Sequence, residues 1–263
     1  MRIRVGTSGY SYKEWKGTFY PEDLPAAKML PYYGERFDSV EINNTFYRMP
    51  DAKMVGKWGE QVPDAFTFVL KAPQRITHQK RLAGTADDVR YLFDVAETLG
   101  PKLGPVLFQL PPFSRKDPVR LQEFVSALPP ARKIAFEFRH DSWFDDEIYD
   151  ILRGRDIALC AADTDETTDV EKLLVPTASW GYMRLRRAEY SEKELEAWAE
   201  RVQRQAWNEA YVFFKHEDEG KGPRFAVAFR ESLRLAGTPA APAGGDRPID
   251  PRLGAPRRSR RDI

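Results

Sequence analysis

Charged and amide side chains recur in this chain at positions where buried strands ordinarily carry Val or Leu. In KIAFEFRHDSW (133–143), Glu137 and Arg139 alternate with Phe136 and Phe138, and His140 and Trp143 follow. Side chains alternate across a strand, so residues of one parity share a face. By that rule Glu41 and Asn43 share a face in DSVEIN, and Lys71 ends FTFVLK opposite Phe68 and Leu70. Gln109 lies opposite Phe108 and Leu110, Arg184 and Arg186 alternate with Met183 and Leu185, and Lys215 shares parity with Glu217. Unpaired buried charges cost several kcal/mol each, so such a set must satisfy itself as an ion-pair network or serve a ligand.

Two chemistries fit these residues. In the first, Glu137 is a general acid or base tuned by Arg139 and Lys71, with Glu41 as a second carboxylate. Asn43, Gln109, Arg139, Arg184 and Lys215 would then hold an anionic, phosphorylated or nucleotide-like small molecule, with Arg186 beside them. The segment EGKGPRF adds Gly220 and Gly222 before a helix, where backbone amides favour a phosphate. Glu217, Asp218 and Glu219 oppose that reading, and a flexible acidic turn is its alternative. In the second chemistry, His140, His216 and Asp163 are ligands of a divalent metal in a hydrolase or isomerase, with His78 also just beyond a strand. No His-x-x-x-His spacing supports this, and four nearby cations would crowd a metal. No other cofactor is expected.

The first loop carries Tyr10, Tyr12, Trp15, Phe19 and Tyr20, and Phe46 and Tyr47 follow the second strand. These aromatics would either stack on a sugar or base, or form an apolar lid over the site.

The elements that position these residues are legible in the apolar pattern. Eight strand-like runs occur at 3–7, 38–43, 66–71, 105–110, 133–139, 157–163, 180–186 and 211–217. Helix signals lie between most of them: Asp51 capping a run to Val62, Asp87 opening one to Leu99, and Asp117 followed by Pro118. Asp145 precedes EIYDILR, Ser191 with Glu194 forms a capping box, and Pro223 opens a last helix ending at Gly237. Eight strands alternating with helices predict an α/β fold, a single (β/α)8 barrel over residues 1–236, with a rudimentary sixth helix between Asp163 and Trp180. No Gly-x-Gly-x-x-Gly follows the first strand, which argues against an open dinucleotide-binding sheet.

Six of the 41 basic and three of the 40 acidic residues fall in 237–263, so residues 1–236 carry a charge of −2. The Pro-, Gly- and Arg-rich tail has no apolar periodicity and is predicted to be disordered. RRSRR within it is the one feature favouring a nucleic acid, the basis of a third, non-catalytic reading. No apolar run suits a membrane span or a signal peptide, which points to a cytoplasmic protein, and the lone Cys160 sits in an apolar strand.

Six segments together resemble the YecE-like family, catalogued as domain of unknown function seventy-two. They are GTSGYSYKEWKGTFYP, FDSVEINNTFYRMP, FVLKAPQRITH, LGPVLFQLPP, AFEFRHDSW and FKHEDEGKGP, which place the resemblance over roughly residues 3–236. It implies a TIM-type barrel and no established reaction. Many members carry Arg-x-His-Gly after the seventh strand and Asn-Asn-Asp after the eighth; RLRRAEY and FKHEDEG here mark a sub-branch.

Overall fold

The structure, a computed structural model, describes residues 1–48, 50–215 and 218–235. Eight parallel strands close into a barrel in sequence order. Along the chain the elements are β1 (Arg2–Ser8), α1 (Met29–Gly34), β2 (Ser39–Ile42), α2 (Asn44–Tyr47), α3 (Ala52–Gly59), β3 (Thr67–Lys71), α4 (Ala86–Ala96), β4 (Leu103–Gln109) and α5 (Pro118–Ala127). They continue with β5 (Ile134–Glu137), α6 (Asp146–Arg153), β6 (Ala158–Asp163), β7 (Trp180–Leu185), α7 (Glu192–Gln203), β8 (Glu209–Phe214) and α8 (Lys221–Leu235).

The expected caps form. Asp51 accepts from the Met54 amide at 2.8 Å, Asp117 from Arg120 at 3.0 Å and Asp145 from Ile148 at 3.2 Å. Ser191 and Glu194 complete their capping box. The rudimentary helix expected between Asp163 and Trp180 is a 3-10 turn, Glu171–Leu173.

Two expectations shift. The eighth strand lies at Glu209–Phe214, because β8 pairs residue for residue with Arg2–Thr7 of β1, and so Lys215 follows the strand. The last helix starts at Lys221, two residues before Pro223, which leaves the proline in its first turn. His216, Glu217 and the tail 237–263 lie outside the described residues, and with them the nucleic-acid reading of RRSRR.

The wall of the barrel separates two environments. Ile3, Val40, Phe68, Phe136, Phe138 and Phe214 face the helices, within apolar layers that include Phe229 of α8 and Phe124 of α5. Val69, Leu107, Cys160, Tyr182, Tyr211 and Phe213 fill the interior. That alternation is the pleat of a strand covered on both faces. It directs the polar parity of each strand inward.

Candidate functional site

At the C-terminal ends of the strands the polar residues meet around one guanidinium. Arg184 of β7 donates through Nη2 to Glu41 Oε1 of β2 at 2.9 Å and through Nη1 to Glu137 Oε2 of β5 at 2.5 Å. The same Nη1 reaches Gln109 Oε1 of β4 at 3.3 Å. Glu41 also accepts from the Tyr182 hydroxyl at 2.6 Å. Glu137 Oε1 takes Arg139 Nε at 2.9 Å and Arg186 Nη1 at 3.5 Å, while Arg139 Nη2 donates to Gln109 at 3.1 Å. The side chain of Arg184 is 2% exposed, whereas those of Arg139 and Arg186 are 31% and 21% exposed. Arg184 is therefore a tie beneath the mouth, and the other two arginines form its upper tier.

These contacts fix the protonation states. Burial alone would raise the Glu137 carboxyl, but the Arg184, Arg139 and Arg186 guanidiniums outweigh it and hold the group far below the ordinary carboxylate range. That favours the ionised form of Glu137, a countercharge to the three guanidiniums. Tyr182 moves the other way: burial and the Glu41 carboxylate raise its hydroxyl well above the ordinary value, so it remains a donor.

Lys71, at the end of β3, is 8% exposed, and its ammonium lies 4.0 Å from the centre of the Phe46 ring. Burial first, then Arg184, lower it to about 8 against the opposing pull of Glu137 and Glu41. Thr45 Oγ1 donates to the Lys71 carbonyl at 2.5 Å and to Ile42 O at 3.1 Å, binding α2 to the ends of β2 and β3. His78 meets the same Phe46 ring edge-on, with centroids 4.9 Å apart. It rides on a π-helical turn, Arg75–Gln79, a geometry frequent at functional sites. Burial lowers its imidazole, and Lys71 and Arg139 lower it further.

The remaining expected site residues are distributed differently. Asn43 follows β2, half-buried at the start of α2. Lys215 follows β8, its amide bonded to Leu185 O at 3.1 Å. Tyr10 turns to the outer layer, its ring 6.2 Å from Tyr33 and its carbonyl accepting from Tyr20 Oη. Trp15, Phe19 and Tyr20 are buried there against Tyr32, Tyr33 and Phe37. The first loop is thus part of the apolar layer and not a lid over the mouth.

Gly220 has φ of +73°, and a Cβ there would stand 2.5 Å from Thr18 Oγ1. Its missing side chain makes room for Thr18. Gly222 is buried in the first turn of α8.

Of the proposed metal ligands, Asp163 and His140 have other partners. Asp163 has the helix-facing parity of β6, and its oxygens accept from Arg187 Nε at 2.9 Å, Tyr190 Oη at 2.9 Å and Trp198 Nε1 at 3.2 Å. His140 caps the turn Asp141–Trp143, its Nδ1 accepting from the Ser142 amide at 3.1 Å. His216 is outside the described residues. Among the described residues no group of three or more His, Cys, Asp or Glu side chains is placed to hold a metal.

Tyr182 is a site residue hidden in an apolar run, yet it shares parity with Arg184 and Arg186, which is signal enough to place it inside.

The chain matches the family model described as Protein of unknown function DUF72 over residues 4–247. It belongs to this family. The YecE-like resemblance of the six segments is accordingly borne out. A DUF72 family protein from Thermotoga maritima is 30% identical, with a TM-score of 0.75 over 89% of this chain and 100% of that one. A DUF72 structure from Enterococcus faecalis, 19% identical, shares the fold with a TM-score of 0.77 over 94% and 100%. The UPF0759 protein YecE of Escherichia coli (strain K12) is 34% identical over 143 residues, 54% of this chain and 50% of YecE. YunF of Bacillus subtilis (strain 168) is 30% identical over 156 residues, 56% and 54% of the two chains. The chain thus spans about half the length of the curated relatives it matches. DUF72 is a family of uncharacterised barrel proteins, and no helix among the described residues is long and apolar enough to cross a membrane.

Proposed function

We propose that the barrel mouth binds an anionic small molecule, phosphorylated or nucleotide-like, and is the active site for a proton-transfer reaction on it. One observation carries this reading. Lys71, Arg139, Arg184 and Arg186 converge on two carboxylates, Glu41 and Glu137, leaving two positive charges in excess within that set. A self-contained structural network would be expected to balance its charges.

The roles follow from exposure and pairing. Arg139 and Arg186 face the opening and would clamp the anion; the Nε of Arg186 is buried with no hydrogen-bond partner among the described residues. Arg184, Glu41, Gln109 and Tyr182 would keep that clamp in register. Lys71, near neutrality at about 8, and His78 beside it are the groups suited to exchange protons with a substrate. Asn43 and Lys215 complete the rim. A cytoplasmic setting, where thiols stay reduced, suits the unpaired Cys160.

Calorimetric titration of the full chain with inorganic phosphate, pyrophosphate and a nucleoside monophosphate at low salt tests the reading. Charge-assisted hydrogen bonds are worth about 1.5–3 kcal/mol, so Arg139→Met and Arg186→Met should each weaken the bound anion about 10- to 100-fold. Absence of binding by all three anions at millimolar concentration, or equal affinity in the double variant, would sink it.

A further inference from the structure

Lys71 differs from the cations around it. Arg139, Arg184 and Arg186 each donate to a carboxylate, whereas the Lys71 ammonium makes no ion pair or hydrogen bond with any described residue. Its amine rests on the face of Phe46, an apolar surface that solvates a cation far less well than water does. Its backbone is held at a strand end by Thr45. A buried, rigidly mounted lysine beside other cations is the setting in which a free amine lone pair becomes available for attack on carbon.

We propose that Lys71 is a covalent nucleophile that forms an imine with an anionic aldehyde or ketone whose negative group is held by Arg139 and Arg186. This rests on the anion-binding reading above and adds a carbonyl to the substrate class. In the step, the Nζ lone pair bonds to the carbonyl carbon and the C–O π pair becomes an oxyanion that takes a proton. Nζ gives up a proton, the hydroxyl receives a second one and leaves as water, and the nitrogen lone pair completes the C=N bond. Amine, carbonyl and one proton become a protonated imine and water, and loss of the remaining Nζ proton gives the neutral imine; no oxidant or reductant is consumed. His78, which shares the Phe46 ring with Lys71, is the neighbouring group that would relay those protons. Glu137, an ion-pair partner of Arg139, Arg184 and Arg186, would balance the iminium charge while Arg139 and the half-buried Arg186 hold the anion.

The full-length chain is incubated at pH 8.5 with glyoxylate or, separately, with pyridoxal 5′-phosphate used as an anionic aldehyde. Borohydride then traps any imine, and labelled peptides are mapped by mass. The two probes distinguish a carboxylate from a phosphate as the recognised anion. The expected result is one adduct per chain on the Lys71 peptide, formed at least tenfold faster than on the exposed Lys53 and slowed at least tenfold by saturating inorganic phosphate. Lys71→Arg, which keeps the charge, should lose the adduct. Phosphate binding with Lys71 labelled no faster than Lys53 overturns the imine and leaves the anion site standing. Failure of both phosphate binding and labelling overturns both. Should Lys71→Arg unfold, the ratio of Lys71 to Lys53 labelling in the unaltered chain decides alone.

Discussion

Arg184 and Glu137 are joined at 2.5 Å with their side chains 2% and 1% exposed, and the strands that carry them, β7 and β5, are not neighbours in the barrel. The contact crosses the interior instead of running along the wall. Arg184 makes a second crossing to Glu41 on β2, so one side chain braces three strands that share no hydrogen-bonded edge with one another.

Removing that brace should be costly. Arg184→Met strands Glu41 without its guanidinium and leaves Glu137 with only the two more exposed arginines. Breaking a buried pair from one side costs about 3–5 kcal/mol, and urea denaturation should show a loss of that size. Adding Glu137→Gln to Arg184→Met should recover part of it. A loss below about 1 kcal/mol would show the pair to be energetically idle.

Tyr182→Phe tests the second partner of Glu41. The hydroxyl donates to a buried carboxylate at 2.6 Å, and a hydrogen bond to a charged group is worth about 1.5–3 kcal/mol. Equilibrium unfolding should register a loss in that range with little change in volume at the site.

Lys71 sets a pH dependence whose sign follows from linkage. Its folded value of about 8 lies below the ordinary 10.5, so between these limits the unfolded chain binds the extra proton. This group therefore destabilises the fold below about pH 8, and stability rises with pH through the window from about 8 to 10.5, by about 3 kcal/mol in all. Lys71→Met should remove that rise from a series of unfolding curves; an unchanged slope would contradict the shift.

Asp163→Asn should lower the melting temperature while leaving anion affinity unaltered. The carboxylate binds Arg187, Tyr190 and Trp198 on the helix side of the wall. A change in anion binding as large as that of Arg139→Met would place it in the site after all.

Gly220→Ala should cost about 1–3 kcal/mol. Its φ of +73° is unfavourable for an L side chain, and the added Cβ meets Thr18 Oγ1 at 2.5 Å. Thr18→Ala should relieve the steric part of the loss and not the backbone part, which thermal unfolding of the double variant would separate.

The barrel and its polar interior were legible because strand parity is a local property. Glu41, Lys71, Gln109, Glu137 and Arg184 each declare a face by alternation with apolar neighbours. What alternation cannot express is which charge meets which across the barrel. That depends on where each strand stands in the ring, so the convergence of Arg184 and Arg186 on Glu137 is not readable from its own strand. Asp163 misled for a related reason: it ends a strand as the others do, but its odd position in β6 is the outward one, set by Ala158, Cys160 and Ala162 facing inward. The aromatic first loop was ambiguous because burial against α1 depends on a helix that carries no clear N-terminal cap signal in the sequence. His78 reached the site through a π-helical turn, a geometry without a periodic signature.

The span of Arg184 also bears on how the protein breathes. A barrel strand usually loosens by shedding ladder bonds to its two flanking neighbours, so amide exchange spreads around the circumference. Here, freeing β2 or β5 at its C-terminal end would also withdraw a partner from the Arg184 guanidinium, and freeing β7 would withdraw the guanidinium from both. Protection at Ile42, Glu137 and Leu185, residues on three separate arcs of the circle, should then rise and fall together, as if the barrel kept one clock for strands that never touch.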